Sequence, residues 1–147
     1  MRILFVCTGN TCRSPMAEAF MNLYVKNINC DAVSAFSRGM AAYGDAVSEN
    51  SVIAAREYGA DISSHVSEQL TLDDIADSDI VLTMTKSQSD FLKAEAKKYS
   101  NKIFSISEYA EIDDIPDPYG QNIEIYKKCA KSLWNSCEKI FKKLVDE

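Results

Sequence analysis

Apolar residues fall along this chain in short continuous runs that alternate with longer stretches of helical spacing. Ile3 to Val6 is an unbroken apolar run closed by the polar Thr8-Gly9-Asn10. That is the pattern of a short buried strand, and it predicts one over residues 2–6. A helix is expected from Pro15, since proline suits the first helical turn, with Ser14 before it as N-cap. Ala17, Phe20, Met21, Leu23 and Val25 supply its apolar stripe, which runs out near residues 27–29. The same reading predicts a second strand over residues 31–37 and a second helix over 48–58, stopped by Gly59 in the C′ position. A third strand is expected over 79–84, built on Ile80-Val81-Leu82, then a helix over 86–99, a fourth strand over 102–106 and a long helix over 123–145. Strands alternating with helices imply βαβ crossovers, hence a doubly wound α/β fold with a mostly parallel sheet covered on both faces. Residues 107–122, after the last strand, form a long irregular stretch with no predicted element. In such a sheet ligands bind beyond the carboxyl ends of the strands, where this loop and the one after the first strand can converge.

Composition narrows the class. The chain has 147 residues, 46% hydrophobic and 26% charged, values of an ordinary globular chain and of one domain over residues 1–147. No apolar run approaches the roughly 18 residues of a membrane span. The first one is too short for a signal-peptide core of about 7 to 15 residues, so a cytoplasmic protein with no membrane partner is expected. The net charge is −6, unevenly spread. Residues 126–147 hold six lysines against Glu138, Asp146 and Glu147, for +3, which leaves −9 on residues 1–125. Nucleic acid is not an expected partner, because binding it needs a concentrated basic surface and the larger part of this chain has the opposite sign. The lysines are expected on the solvent face of the last helix.

Five cysteines, Cys7, Cys12, Cys30, Cys129 and Cys137, form an odd set without C-x2-C spacing, and His65 is the only histidine. Neither a disulfide framework nor a metal site is expected. Cys129 and Cys137 share a helix face with Ile125, Leu133, Ile140 and Leu144 and are expected in the core, as is Cys30.

The candidate chemistry lies in Cys7-Thr8-Gly9-Asn10-Thr11-Cys12-Arg13-Ser14, between the first strand and the first helix. Gly9 and Asn10 tolerate positive φ, so the loop can turn its N–H groups inward as a nest for a tetrahedral oxyanion at a helix N-terminus. Arg13 adds a planar cationic fork able to hold two phosphate oxygens. Cys7 would face the phosphorus, with the amides, the helix dipole, Arg13 and the Ser14 hydroxyl to stabilise its thiolate.

These residues resemble those of the low-molecular-weight protein tyrosine phosphatases. The stretch from Phe5 to Glu18 looks like that family's phosphate-binding loop, Ser37-Arg38-Gly39 like its Ser-x-Gly, His65 like its histidine before the third helix, and Asp117-Pro118-Tyr119 like its acid-bearing loop. The resemblance implies four parallel strands in the order 2-1-3-4. It also implies Cys7 as nucleophile, Arg13 as phosphate clamp, Asp117 rather than Asp113 or Asp114 as general acid, and Asn10, Ser14, Ser37 and His65 as supports of the loop. Residues 8–14 would bind the phosphoryl group of a phosphorylated protein and release inorganic phosphate, with no cofactor. Cys12 would pair with Cys7 on oxidation. Thr11 and Tyr119 would line the substrate pocket. Many phosphotyrosine-specific members carry isoleucine at the place of Thr11, whereas bacterial members acting on phosphoarginine carry threonine, and residues 117–126 look more like theirs. Tyr119 departs from that branch, where phenylalanine is usual. Phosphoarginine is therefore the favoured substrate and phosphotyrosine the alternative. An arsenate reductase would need relay cysteines near residues 83–92, which have none, and a non-catalytic phosphoprotein-binding module would need neither Cys7 nor Asp117.

Overall fold

In a computed structural model describing residues 1–146, four parallel strands form one sheet in the order β2-β1-β3-β4. The strands are β1 (Arg2–Cys7), β2 (Ser34–Gly39), β3 (Ile80–Thr83) and β4 (Ile103–Ser105). They are joined by α1 (Arg13–Asn27), α2 (Glu49–Arg56), α3 (Leu72–Ala76), α4 (Lys86–Glu95) and α5 (Ile106–Ala110), and α6 (Ile123–Asp146) closes the chain. The expected doubly wound fold and strand order are those observed. Among the described residues no helix is long and apolar enough to cross a membrane.

The alternation along β1 shows why its apolar run is continuous. Ile3, Phe5 and Cys7 enter one core with α1, α2 and α6, while Leu4 and Val6 enter a second core with Ile75, Leu92 and Ile103. A central strand between two helical layers has no solvent face, so every position is apolar. The larger core is knitted by Phe20, Tyr58 and Trp134, whose ring centroids lie 5.2 to 5.4 Å apart. On α6 the buried line runs through Tyr126, Cys129, Leu133, Cys137, Ile140 and Leu144. Ile125, expected on that face, is instead 40% exposed, and Tyr126 takes its place. Five of the six lysines of α6 are exposed, and the half-buried Lys127 pairs with Glu57 at 3.1 Å.

Several element boundaries differ from those predicted, each for a tertiary reason. β2 spans 34–39 rather than 31–37 because β1 templates it: Arg2 pairs with Ser34 and Cys7 with Gly39. α4 ends at Glu95, and the chain passes through a 3₁₀ turn over 97–102 into β4. The fourth strand stops at Ser105 because its side chain accepts from the N–H of Glu108 and starts α5, inside a stretch with no predicted element. Thr71 and Asp74 form a capping box that starts α3, also unpredicted.

β1 lies between β2 and β3, so the chain leaves its carboxyl end at the point where strand order reverses. Such a crevice is where doubly wound sheets bind ligands. Gly39, at the end of β2, lets the loop after β1 come close: a Cβ there would stand 2.9 Å from Thr8 O, Asn10 Cβ and Ala42 Cβ. Two of these three neighbours belong to that loop. Gly39→Ala is therefore expected to destabilise the protein by about 1–3 kcal/mol, measurable by urea unfolding.

Candidate active site

The loop from Thr8 to Cys12 turns on Asn10, which is fully buried with φ of +56°. A non-glycine residue in this region costs energy unless its side chain finds local partners, and Asn10 finds them on every side. Its Nδ2 donates to Ser14 Oγ at 2.8 Å and to Ser37 Oγ at 3.0 Å. Its Oδ1 accepts from the N–H of Glu68 at 2.9 Å and from His65 Nε2 at 3.2 Å, while His65 Nε2 also lies 3.1 Å from Asn10 O. Both partners of that ring nitrogen are oxygen acceptors, so the network assigns the proton to Nε2. Ser37 Oγ passes its own proton to Glu18 Oε1 at 2.9 Å. The structure thus brings together Asn10, Ser14, Ser37 and His65, the four loop supports named from sequence.

Ser14 is not the helix cap. α1 starts at Arg13, its N-cap position is Cys12, and no side chain caps it. The first turn's N–H groups have no intrahelical partners in any case, so Pro15 fits equally well two residues inside the helix. Ser14 Oγ, already accepting from Asn10, stands 2.9 Å from Cys7 Sγ with its proton free to point at the sulfur. The N–H of Asn10 donates to the same sulfur at 3.2 Å.

Cys7, Thr11, Arg13, Asp117 and Tyr119 line a cavity of about 190 Å³ together with the loop. The Arg13 guanidinium is buried: Nη1 donates to Ile115 O at 3.0 Å, and Nη2 lies 3.8 Å from Asp117 Oδ2. Ile115 in turn donates its N–H to Met84 O at 3.0 Å, which holds the segment carrying Asp117 against the end of β3. Of the three neighbouring aspartates, Asp117 faces this cavity, Asp114 accepts from Ser107 Oγ and Lys86 N, and Asp113 lines a separate cavity beside α6. The Tyr119 ring is 75% exposed at the rim, and its N–H donates to Asp117 Oδ1 at 3.0 Å.

All five cysteines are free thiols. Cys12 Sγ has partners other than those of Cys7: Ser48 Oγ at 3.4 Å and the Tyr126 hydroxyl at 3.7 Å. Burial, and then the Cys12 contact, push the Tyr126 hydroxyl up to about 12, so it stays protonated at neutral pH. Burial also pushes the Cys129 and Cys137 thiols up to about 12, which keeps them neutral core groups. Cys30 is half-buried against the same core.

Three contributors escaped the sequence reading. Ile115 acts through its carbonyl, which no side-chain pattern reveals. Gln88 is buried, accepts from the N–H groups of Met84 and Thr85 and donates to Thr8 Oγ1 at 3.1 Å, tying the loop to α4. Its signal was Thr85-x-x-Gln88, a capping box at the start of α4. Asp45 lines the cavity from the turn after β2, next to Gly44, a residue type that marks such turns.

A parallel sheet whose first loop surrounds a strand-end cysteine with a buried arginine and a facing aspartate defines a small α/β phosphatase. The family model for the low molecular weight phosphotyrosine protein phosphatases matches residues 2–147, and the chain belongs to that family. A solved low-molecular-weight protein tyrosine phosphatase from T. tengcongensis is 41% identical, with a TM-score of 0.92 over 97% of this chain and 99% of that one. A protein-arginine-phosphatase of Bacillus subtilis (strain 168) is 33% identical over 98% of this chain and 97% of its own length. A solved arginine phosphatase, a cysteine-to-serine mutant with its active-site serine phosphorylated, is also 33% identical, with a TM-score of 0.93 over 100% of this chain and 97% of that one.

The weight carried by Asn10 can be split by two substitutions. Asn10→Ala removes the side-chain bonds and leaves a Cβ at positive φ, an expected loss of about 2–4 kcal/mol. Asn10→Gly removes the same bonds but accepts the φ, and is expected to be less damaging by roughly 1 kcal/mol. Urea unfolding of both checks this; equal losses would place the whole cost in the bonds.

Proposed function

We propose that this enzyme hydrolyses phosphoarginine on proteins through a phosphocysteine intermediate. The observation that carries the reading is the one cavity lined by Cys7, Arg13 and Asp117, which supplies a nucleophile, a cationic clamp and an acid to the same ligand. The Cys7 thiolate attacks phosphorus in line, the bond from phosphorus to the leaving nitrogen breaks, and protonated Asp117 delivers its proton to that nitrogen. Water then attacks the phosphocysteine, Asp117 takes the water's proton, and the sulfur leaves as thiolate with the Ser14 hydroxyl donating to it. Arg13 and the amides of residues 8–14 hold the equatorial oxygens through both steps. The products are inorganic phosphate and the unmodified protein, and the protein acts in the cytoplasm. No step calls for a metal or an organic cofactor.

Two features favour phosphoarginine. Thr11 places a hydroxyl rather than a branched apolar chain on the pocket wall, a better neighbour for a planar, donor-rich guanidinium. The relative solved with a phosphorylated active-site serine is an arginine phosphatase and shares the fold over the whole chain. Phosphotyrosine is the second reading, supported by the Tyr119 ring at the rim, which can stack on a phenyl group.

Initial rates on matched phosphoarginine and phosphotyrosine peptides test the choice. Wild type is expected to favour phosphoarginine, and Thr11→Ile to shift the ratio toward phosphotyrosine by about tenfold, the scale of one altered pocket contact. Preference of the wild type for phosphotyrosine would reverse the assignment. Cys7→Ser is expected to abolish turnover of both. Under mild peroxide, Cys7 sulfenate is expected to condense with the Cys12 thiol, losing water and giving a disulfide that mass spectrometry detects; a stable Cys7 sulfinate instead would remove Cys12 from that role.

A further inference from the structure

We infer that Asp45 is a specificity-determining residue that receives the guanidinium of the substrate. This rests on the phosphoarginine reading above and deepens it.

Asp45 borders the same cavity as Cys7, Thr11, Arg13 and Asp117. Its backbone is fixed on both sides: its N–H donates to Ser67 Oγ at 2.8 Å and its carbonyl accepts from the N–H of Ser67 at 2.8 Å. Ser67 is buried, and the next residue along, Ala46, bridges to Val66. The turn is therefore anchored, yet the Asp45 carboxylate has no hydrogen-bond or ion-pair partner among the described residues. By contrast, the carboxylates of Glu18, Glu68, Asp74 and Asp114 nearby are all engaged.

An unpaired carboxylate on the wall of a phosphate pocket is unfavourable for a bare phosphate. It repels the phosphoryl dianion and so offsets part of the attraction that Arg13 and the loop amides supply. The repulsion turns to attraction when the substrate brings its own cation next to phosphorus. Phosphoarginine does so: phosphorus is bonded directly to a guanidinium nitrogen, and the remaining N–H groups point outward as a planar fork that suits a carboxylate. Phosphotyrosine offers a neutral ring at the same place. With Asp117 engaged at the leaving nitrogen, Asp45 is the second carboxylate available to the rest of the group.

The test uses wild type, Asp45→Asn and Asp45→Lys, with phosphoarginine and phosphotyrosine peptides of one sequence that lacks any other basic residue, and para-nitrophenyl phosphate as a small aryl phosphate that carries no cation. In Asp45→Asn, kcat/KM for phosphoarginine is expected to fall about fivefold to twentyfold, mainly through KM, the range of one lost charge-assisted contact at an exposed site. The aryl ester is expected to react faster as the repulsion is relieved, and Asp45→Lys to move both values further the same way. An arginine-to-tyrosine ratio that stays within about twofold of wild type, whether all substrates fall together or none does, overturns the role of Asp45 and leaves the phosphoarginine reading standing. A wild type that does not turn over phosphoarginine overturns both. Repeating the pair of peptides with a second arginine beside the modified residue separates one further possibility: an effect seen only there means that Asp45 reads a neighbouring residue, and also overturns the inference.

Discussion

The site depends on one buried amide. Asn10 holds a backbone conformation that its residue type tolerates only with help, and its side chain gathers that help from four residues in three places: α1 through Ser14, β2 through Ser37, and the segment after α2 through His65 and Glu68. Ser14 is positioned by α1 and Ser37 by β2, and the segment carrying Glu68 is tied to the end of β2 by the N–H of Gly39, so the loop's shape depends on how these elements are packed. The same amide orients the Ser14 hydroxyl toward Cys7. Loop geometry and the environment of the sulfur are thus set by a single side chain, and a network with every donor and acceptor used has one arrangement rather than several.

Local electrostatics outweigh the global charge. A chain of −6 binds an anion because the cations and dipoles that matter are concentrated in one crevice, with Arg13 buried against a carbonyl and a helix N-terminus left without a side-chain cap. The excess negative charge outside governs which regions of a protein substrate approach, since acidic segments are repelled and basic ones drawn in.

Much of this was legible in the sequence, and the limits follow a physical rule. The strands and long helices were visible because their burial is periodic, and strand order followed from the family resemblance. The ends of β2 and β4 were not, because a strand's ends are set by its partner: β2 begins opposite Arg2 and stops opposite Cys7. The short helices α3 and α5 carried only capping signals, Thr71 to Asp74 and Ser105 to Glu108, too brief to outweigh an irregular composition. Most of the side chains that the structure gathers around the loop were named from sequence, whereas Ile115, which contributes a carbonyl, and Gln88, a polar residue on a helix face, were not. Asp45 was missed because proximity across the fold, rather than spacing along the chain, brings it to the cavity. Ser14 was misassigned as a cap because serine before proline suits a helix start whether or not its hydroxyl is already engaged elsewhere.

The two outer walls of the cavity have a common construction. Asp45 follows Gly44 and Tyr119 precedes Gly120, both glycines have φ of +77°, and neither has a neighbouring atom within 4 Å of where a side chain would begin. The loop beneath is interlocked through Asn10, while the walls stand beside glycines with open space around them. A protein built this way can change a side chain at the rim of its cavity without disturbing the hydrogen-bond network that shapes the loop beneath.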